Sequence, residues 1–142
     1  MILKFIVPGP PQGKARARTV LNRHTGRVSS YTPENTVIYE NLITMSFLEH
    51  CGRKRFESTT PISVSIIATF PIPKSTSKKR ANQMTAGSIR PTKKPDADNI
   101  SKCILDALNG VAYHDDSQVV SLEVKKIYGK EPGVTVFMSE VD

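Results

Sequence analysis

Lys94 to Gly110 reads Lys-Pro-Asp-Ala-Asp-Asn-Ile-Ser-Lys-Cys-Ile-Leu-Asp-Ala-Leu-Asn-Gly, and its spacing governs how the rest of the chain is arranged. Ile100, Cys103, Ile104, Ala107 and Leu108 recur at the i, i+3, i+4, i+7, i+8 positions of one helical face. That spacing predicts a helix over Asn99–Asn109, with Gly110 as its C-terminal stop. Pro95 holds the residue before it extended, so Asp96 and Asp98 stand at the mouth of the helix. Asp98, Lys102, Asp106 and Asn109 fall on a second stripe, opposite the apolar one. The segment thus offers one face to a core and opens the other with two carboxylates.

On the N-terminal side, Ile62–Phe70 alternates strictly, with Ile62, Val64, Ile66, Ala68 and Phe70 on one face, which reads as a half-buried strand. Thr32-Pro33-Glu34 is a helix start, with Thr32 as the expected cap and Pro33 in the first turn. A helix from Pro33 to His50 follows, and Ile38, Leu42, Met45 and Glu49 are spaced for one face. Ile2–Val7 reads as a strand. Between it and Pro33 lies a basic stretch with turn formers, a long loop or a hairpin arm. Lys74–Pro95 is polar, with room for a short helix around Lys78–Thr85 in an otherwise loop-like segment. Beyond Gly110, Gln118–Tyr128 reads as a strand with Val120, Leu122 and Val124 inward. Glu131-Pro132-Gly133 turns the chain into a last strand, Val134–Met138, so this end reads as a hairpin. The order is β-α-β-α-β-β. The expected fold class is α+β, a small mixed or antiparallel sheet with two main helices on one face, in a single domain spanning 1–142.

Charge narrows the function. The chain carries a formal net charge of +7, which favours a polyanionic partner. Its distribution says more than its size. Pro8–Pro33 holds Lys14, Arg16, Arg18, Arg23 and Arg27 and no acid; Pro71–Pro95 holds Lys74, Lys78, Lys79, Arg80, Arg90, Lys93 and Lys94 and again no acid. Five of the six aspartates lie between Asp96 and Asp116. A merely solvated surface intersperses the two signs. No apolar run is long enough for a transmembrane helix, and Met1–Val7 lacks the features of a signal peptide, so the expected location is the cytoplasm with no membrane contact. Cys51 and Cys103 form neither a metal pair nor a disulfide framework; Cys103, on the apolar helical face, reads as a buried small hydrophobe.

Each piece of the acidic cluster has an ordinary reading. Asp and Asn at a helix start cap it. Asp98–Lys102 is an i,i+4 pair. Asp115-Asp116 is a turn. Together, and just after Lys93-Lys94, they suit phosphodiester hydrolysis. Mg²⁺ takes one or two carboxylates, keeps waters and bridges to phosphate. Lys102, one helical turn away, is placed to stabilise a phosphate or hold the attacking water. His114, His24, Tyr31, Tyr39 and Tyr113 are read as structural or solvated before they are read as functional.

The set Lys94-Pro95-Asp96-Ala97-Asp98-Asn99, Lys102, Asp106-Ala107-Leu108-Asn109-Gly110, Asp115-Asp116, Gln118 and Lys125 or Lys126 closely resembles the RusA family of Holliday junction resolvases. Val7-Pro8-Gly9-Pro10-Pro11 followed by basic residues is similar too. The segment before Pro95 is longer than in the shortest members and resembles phage-type ones. The resemblance implies a homodimeric, Mg²⁺-dependent endonuclease (Mn²⁺ as a permitted substitute) making paired symmetric nicks in four-way junctions during DNA recombination and repair. By position it implies that Asp96, Asp98 and Asp116 are the essential acids and metal ligands, with Asp115 as an alternate ligand and Lys102 as the essential lysine. The DNA-binding set is then Lys14, Arg16, Arg18, Arg23, Arg27, Lys78, Lys79, Arg80, Lys93 and Lys94. A nuclease for other branched DNA and a non-catalytic DNA-binding module are the competing readings.

Chain length bounds one further point. From Asp98 to Asn109 a helix rises roughly 16 Å, and the seven residues on to Asp116 reach roughly 23 Å when extended. Asp116 returns to Asp98 within one chain only if nearly all of that segment runs back along the helix. Otherwise it serves a second subunit.

Overall fold

The computed structural model describes the whole chain, Met1–Asp142. β1 (Ile2–Pro8), β4 (Ile62–Pro71), β5 (Val119–Gly129) and β6 (Gly133–Glu140) form one four-stranded sheet, while β2 (Arg18–Leu21) and β3 (Val28–Tyr31) pair separately as a hairpin. The helices are α1 (Glu34–Cys51), α2 (Lys78–Ala86) and α3 (Ala97–Leu108). The sheet order is β1-β6-β4-β5. β6 runs antiparallel to both β1 and β4, and β4 runs parallel to β5. The sheet is mixed because the α3 crossover returns the chain parallel, whereas the tight 131–133 turn returns it antiparallel. The fold is α+β, as the element order implies, but β5 and β6 do not form the expected hairpin, because β4 lies between them and pairs with both.

Register explains why one face holds the core. Leu3 and Val64 both pair with Met138, Phe5 and Ile66 with Val136, and Val7 and Ala68 with Val134. All nine are buried, and they join Tyr39, Ile43 and Phe47 of α1 and Ile100, Cys103, Ile104 and Leu108 of α3 in one cluster. Phe5 and Phe47 meet edge to face, with centroids 5.5 Å apart, an arrangement favoured by the ring quadrupoles.

Three local expectations are corrected. In β5 the expected inward set was Val120, Leu122 and Val124. The register slips opposite Ile62/Ser63, so Val120 turns outward and is 61% exposed. Leu122 lies opposite Val64, on the core face, yet is 45% exposed; only Val124 packs against the cluster. In α1 the buried residues are Thr36, Tyr39, Ile43, Ser46, Phe47 and Cys51. The stripe expected inward faces solvent instead, with Ile38 60% and Met45 67% exposed. The start of α1 also differs. Pro33 takes the cap position, its carbonyl accepts from the N–H groups of Thr36 and Val37, and no side chain caps the helix.

The basic segments acquire structure. The N-terminal one is a hairpin whose strand residues are all exposed. The second holds α2, started by the Ser77 side chain accepting from the Arg80 N–H and stopped by Gly87 at φ 87°, where a residue without Cβ is favoured.

Candidate active site

Asp96 occupies the cap position of α3, but its carboxylate makes no capping bond. Its backbone carbonyl accepts from the Ile100 N–H instead, at 3.0 Å. Asp98 follows in the first turn, where its carbonyl accepts from Ser101 Oγ at 2.8 Å. Both residues are exposed. The ion pairs of the chain fall on Glu40, Asp106, Glu123 and Glu140, not on these two. Two carboxylates therefore stand uncommitted at the positive end of a helix, which favours their charge. Capping and ion pairing, the ordinary explanations for such residues, do not use them.

One turn along, Lys102 has a 63% exposed side chain, with its Nζ 3.9 Å from Asp106 Oδ2. Asp106 belongs to a second, more buried group. Lys14 Nζ lies 3.3 Å from Asp106 Oδ2 and also donates to Glu40 Oε1. Burial opposes the Lys14 charge, but hydrogen bonds and charge from Glu40 and Asp106 outweigh it, and its pKa is held above the ordinary lysine value. The Lys14 N–H donates to the Asn99 carbonyl at 3.1 Å, and the Ala15 N–H donates to Thr36 Oγ1 at 3.1 Å. At Gly13 a Cβ would stand 3.0 Å from Asn99 Cβ and 3.1 Å from Pro95 Cβ, so a larger residue would press on the mouth of α3, which would have to give by a few tenths of an ångström. The root of the arm is thus fixed to the helix bearing Asp96 and Asp98. Lys14, expected among the DNA-contacting cations, is engaged inside this network.

Asp115 and Asp116 are divided between two tasks. The Asp115 carboxylate accepts from the N–H and Oγ of Ser117, which pulls its pKa below the ordinary aspartate value. Gln118 answers as a capping box: its Oε1 accepts from the His114 and Asp115 N–H groups, and its Nε2 donates to the Glu57 and Thr60 carbonyls. These bonds fix a short 3-10 turn, Asp116–Gln118. Asp116 makes none of them and stays half-exposed. Its neighbour is Tyr113, whose hydroxyl donates to the Leu105 carbonyl at 2.6 Å. Burial, and then the charges of Asp116, Asp106 and Asp115, push that phenol pKa up.

Tyr113 bonds back to α3 through the Leu105 carbonyl, and Asp116 opens the 3-10 turn that follows, eight residues past Leu108, where α3 ends. Asp96, Asp98 and Lys102 share the first two turns of α3 and its cap. No three His, Cys, Asp or Glu side chains in the chain are grouped to hold a metal ion. The Asp96–Asp98 pair by itself suits part of the oxygen shell of a hard divalent cation, which retains several waters and also takes substrate phosphate.

Exposed cations precede the pair in the chain. Lys93 and Lys94, both exposed, directly precede it. Lys126 Nζ donates to the Lys93 carbonyl at 2.6 Å and lies 5.1 Å from the Phe70 ring centroid, and so ties this loop to the sheet. Lys78, Lys79 and Arg80 crowd the first turn of α2, where no acid offsets them. Cations at a positive helix end repel it, and a bound anion relieves that repulsion. Arg16, Arg18, Arg23 and Arg27 are exposed on the hairpin arm and its approach. Tyr39 and Tyr113 are buried, which leaves Tyr31, on the arm, as the exposed aromatic of those three. The His114 ring lies 3.5 Å from Arg55 Nη2 through its Nδ1. Both cysteines are free and buried.

The model of the endodeoxyribonuclease RusA family matches residues 8–139. The chain belongs to the RusA endodeoxyribonuclease family. It is 38% identical over 141 residues to the uncharacterized protein YqaN of Bacillus subtilis (strain 168), covering 98% of this chain and 96% of that one. It is 27% identical over 117 residues to the crossover junction endodeoxyribonuclease rusA of Lactococcus phage r1t, covering 82% of this chain and 81% of that one. The RusA match takes in both basic segments, the mouth of α3 and the Asp115–Gln118 turn. Sequence reasoning missed Glu40 and the role of Lys14. The two stand 26 residues apart, and nothing in local spacing links them.

Proposed function

We propose that this RusA-family chain is a Mg²⁺-dependent, structure-specific endonuclease. In this reading it acts in the cytoplasm as a homodimer and resolves four-way DNA junctions by paired symmetric nicks in recombination and repair. The observation that carries the reading is the uncommitted pair Asp96 and Asp98 at the mouth of α3, preceded in the chain by unpaired cations. A bound Mg²⁺ or Mn²⁺ would supply water activation and offset of the charge growing on the phosphate.

The chain supplies the rest. Asp96 and Asp98 would hold the ion. Lys102 lies one turn deeper and meets the non-bridging phosphate oxygens, where a fixed donor favours the transition state. Lys93, Lys94, Lys78, Lys79 and Arg80 grip the backbone near the cut, and Arg16, Arg18, Arg23 and Arg27 grip it along the arm. Such contacts give affinity that falls steeply with salt. Lys14 and Asp106 keep Lys102 and the arm in register. Asp115 shapes the turn, and Asp116 is the third acid. Because Asp116 follows the end of α3 in the chain while Asp96 opens that helix, we read it as serving the site of the other subunit.

Mixing Asp96→Asn chains with Asp116→Asn chains tests this assignment. If Asp116 acts across the dimer, the mixed dimer regains one intact site and nicks a labelled four-way junction on one strand. If it acts within its own chain, every site in the mixture carries a lesion and nicking stays absent. Competition with flaps and replication forks separates junction resolution from cleavage of other branched DNA. A fork or flap that displaces the junction from the enzyme at equal concentration overturns the junction preference.

A further inference from the structure

A recess at the root of the arm gathers groups that the rest of the chain leaves unused. Arg18 opens β2 and Tyr31 closes β3, and the two stand directly opposite each other in the antiparallel register. Their side chains therefore share one face of the hairpin. With Pro33, Glu34 and Asn35 at the start of α1 they line an open recess of about 300 Å³. All but Pro33 are exposed, and Tyr31 keeps 49% of its surface in solvent. The ring contacts of the chain fall on Phe5, Phe47, Phe70, Tyr128 and Phe137, not on Tyr31. Arg18 and Glu34 line the same recess, yet neither enters an ion pair. The side-chain bonds at this end of α1 run from Ala15 to Thr36 Oγ1 and from Lys14 to Glu40, and take in neither Glu34 nor Asn35.

The mixture of groups identifies the occupant. A phosphate suits Arg18 but sets a second negative charge against Glu34. A nucleobase suits all four side chains. Its face stacks on an aromatic ring, a contact that tolerates any base. Its edge carries donors and acceptors together, and the Asn35 amide offers both kinds while the Glu34 carboxylate accepts from an amino group. Inside a duplex both faces of a base are already stacked, so the occupant is a base outside the stack. The recess is also tied to the candidate site. The Ala15 N–H donates to Thr36, next to Asn35, and the N–H of the preceding residue, Lys14, donates to the carbonyl of Asn99, next to Asp98.

We propose that Tyr31, Glu34 and Asn35 form a pocket for one unpaired base exposed at a branch point of the DNA. The base stacks on Tyr31, Asn35 and Glu34 read its edge, and Arg18 holds the phosphate beside it. Thymine, whose edge has no amino group, is the poorest occupant. The pocket makes opened DNA a better ligand than continuous duplex. The inference rests on the DNA-cleaving reading of the chain and adds base recognition to it.

Binding of labelled four-way junctions by the full-length chain tests it, without Mg²⁺ so that cleavage plays no part. In one series a single base beside the crossover is left unpaired, position by position. In a matched series that base is replaced by an abasic site. The wild type should bind the best unpaired-base junction about 5- to 100-fold more tightly than its abasic counterpart, the span of base–aromatic stacking. Tyr31→Ala should lose that ratio and Tyr31→Phe should keep it. Both should bind continuous duplex within about 2-fold of the wild type, since that binding runs through phosphate contacts. Unpaired thymine should be the weakest of the four bases, and Glu34→Ala should level the difference. A wild type that binds base and abasic site alike at every position overturns the proposal. So does a Tyr31→Ala chain that keeps the ratio, or one that loses duplex and junction binding equally. A wild type that binds no DNA sinks the nuclease reading together with the pocket, whereas one that binds and nicks junctions without any base preference sinks the pocket alone.

Discussion

α1 and α3 pack side by side, and both carry apolar residues at helical spacing, yet their patterns lead to opposite outcomes. In α3 the stripe Ile100, Cys103, Ile104, Ala107 and Leu108 is the buried face, and the polar stripe opposite it bears the candidate site. In α1 the stripe Ile38, Leu42 and Met45 is turned to solvent, while a face mixing Tyr39, Ile43 and Phe47 with Thr36 and Ser46 is buried. Spacing tells which residues share a side of a helix. It tells which side meets the core only when the other side is plainly polar. α3 meets that condition. α1 has apolar residues on both sides, so its pattern alone does not say which side meets the core.

The largest effect that would sharpen the contrast comes from the core side of α3. Ile104 is fully buried, and Ile104→Ala should lower the unfolding free energy by about 2–5 kcal/mol in urea titration. Met45→Ala, on the exposed stripe of α1, should change the stability by no more than about 0.5 kcal/mol. Equal losses at both positions would break the distinction between a core face and an exposed face.

Lys14→Met probes the joint between the two helices. It leaves Glu40 and Asp106 facing each other without their shared cation, and should cost about 1–3 kcal/mol. It should also slow nicking more than it weakens junction binding, because Lys102 then holds its place through Asp106 alone. Lys14→Arg should restore part of both. An unchanged nicking rate in Lys14→Met would detach this network from the site.

The smallest effect is in pH. The folded Lys14 has its pKa raised above 10.5. Its charge therefore stabilises the fold fully below about pH 10.5, and the contribution is lost as pH rises through the folded value. The stability difference between wild type and Lys14→Met should be constant near neutral pH and shrink in more alkaline solution. A difference that grew there would reverse the assigned sign.

Much of this was legible in the sequence because it is local. The alternation of Ile62–Phe70, the stripe and stop of α3, the turn at 131–133 and the two acid-free basic segments each lie within one stretch of chain. The pair Asp96 and Asp98 was legible for the same reason. What could not be read depends on contacts between distant segments. The slip opposite Ile62/Ser63 that turns Val120 outward is a property of strand pairing. The capture of Lys14 by Glu40 and Asp106 joins three elements. The division of labour between Asp115 and Asp116 follows from Ser117 and Gln118 claiming one carboxylate and not the other, a distinction that adjacent identical residues hide.

The central claim is that Asp96 and Asp98 are free at the mouth of α3 because they act in DNA cleavage. Its most direct test measures Mg²⁺-dependent nicking and binding of one labelled four-way junction by the wild type and by Asp96→Asn. The account predicts Mg²⁺-dependent nicking by the wild type. It predicts at least about a 100-fold loss of nicking in the variant, with junction binding retained or tightened, since a repulsive charge leaves while every cation stays. Undiminished nicking by Asp96→Asn, or binding lost along with cleavage, would contradict it.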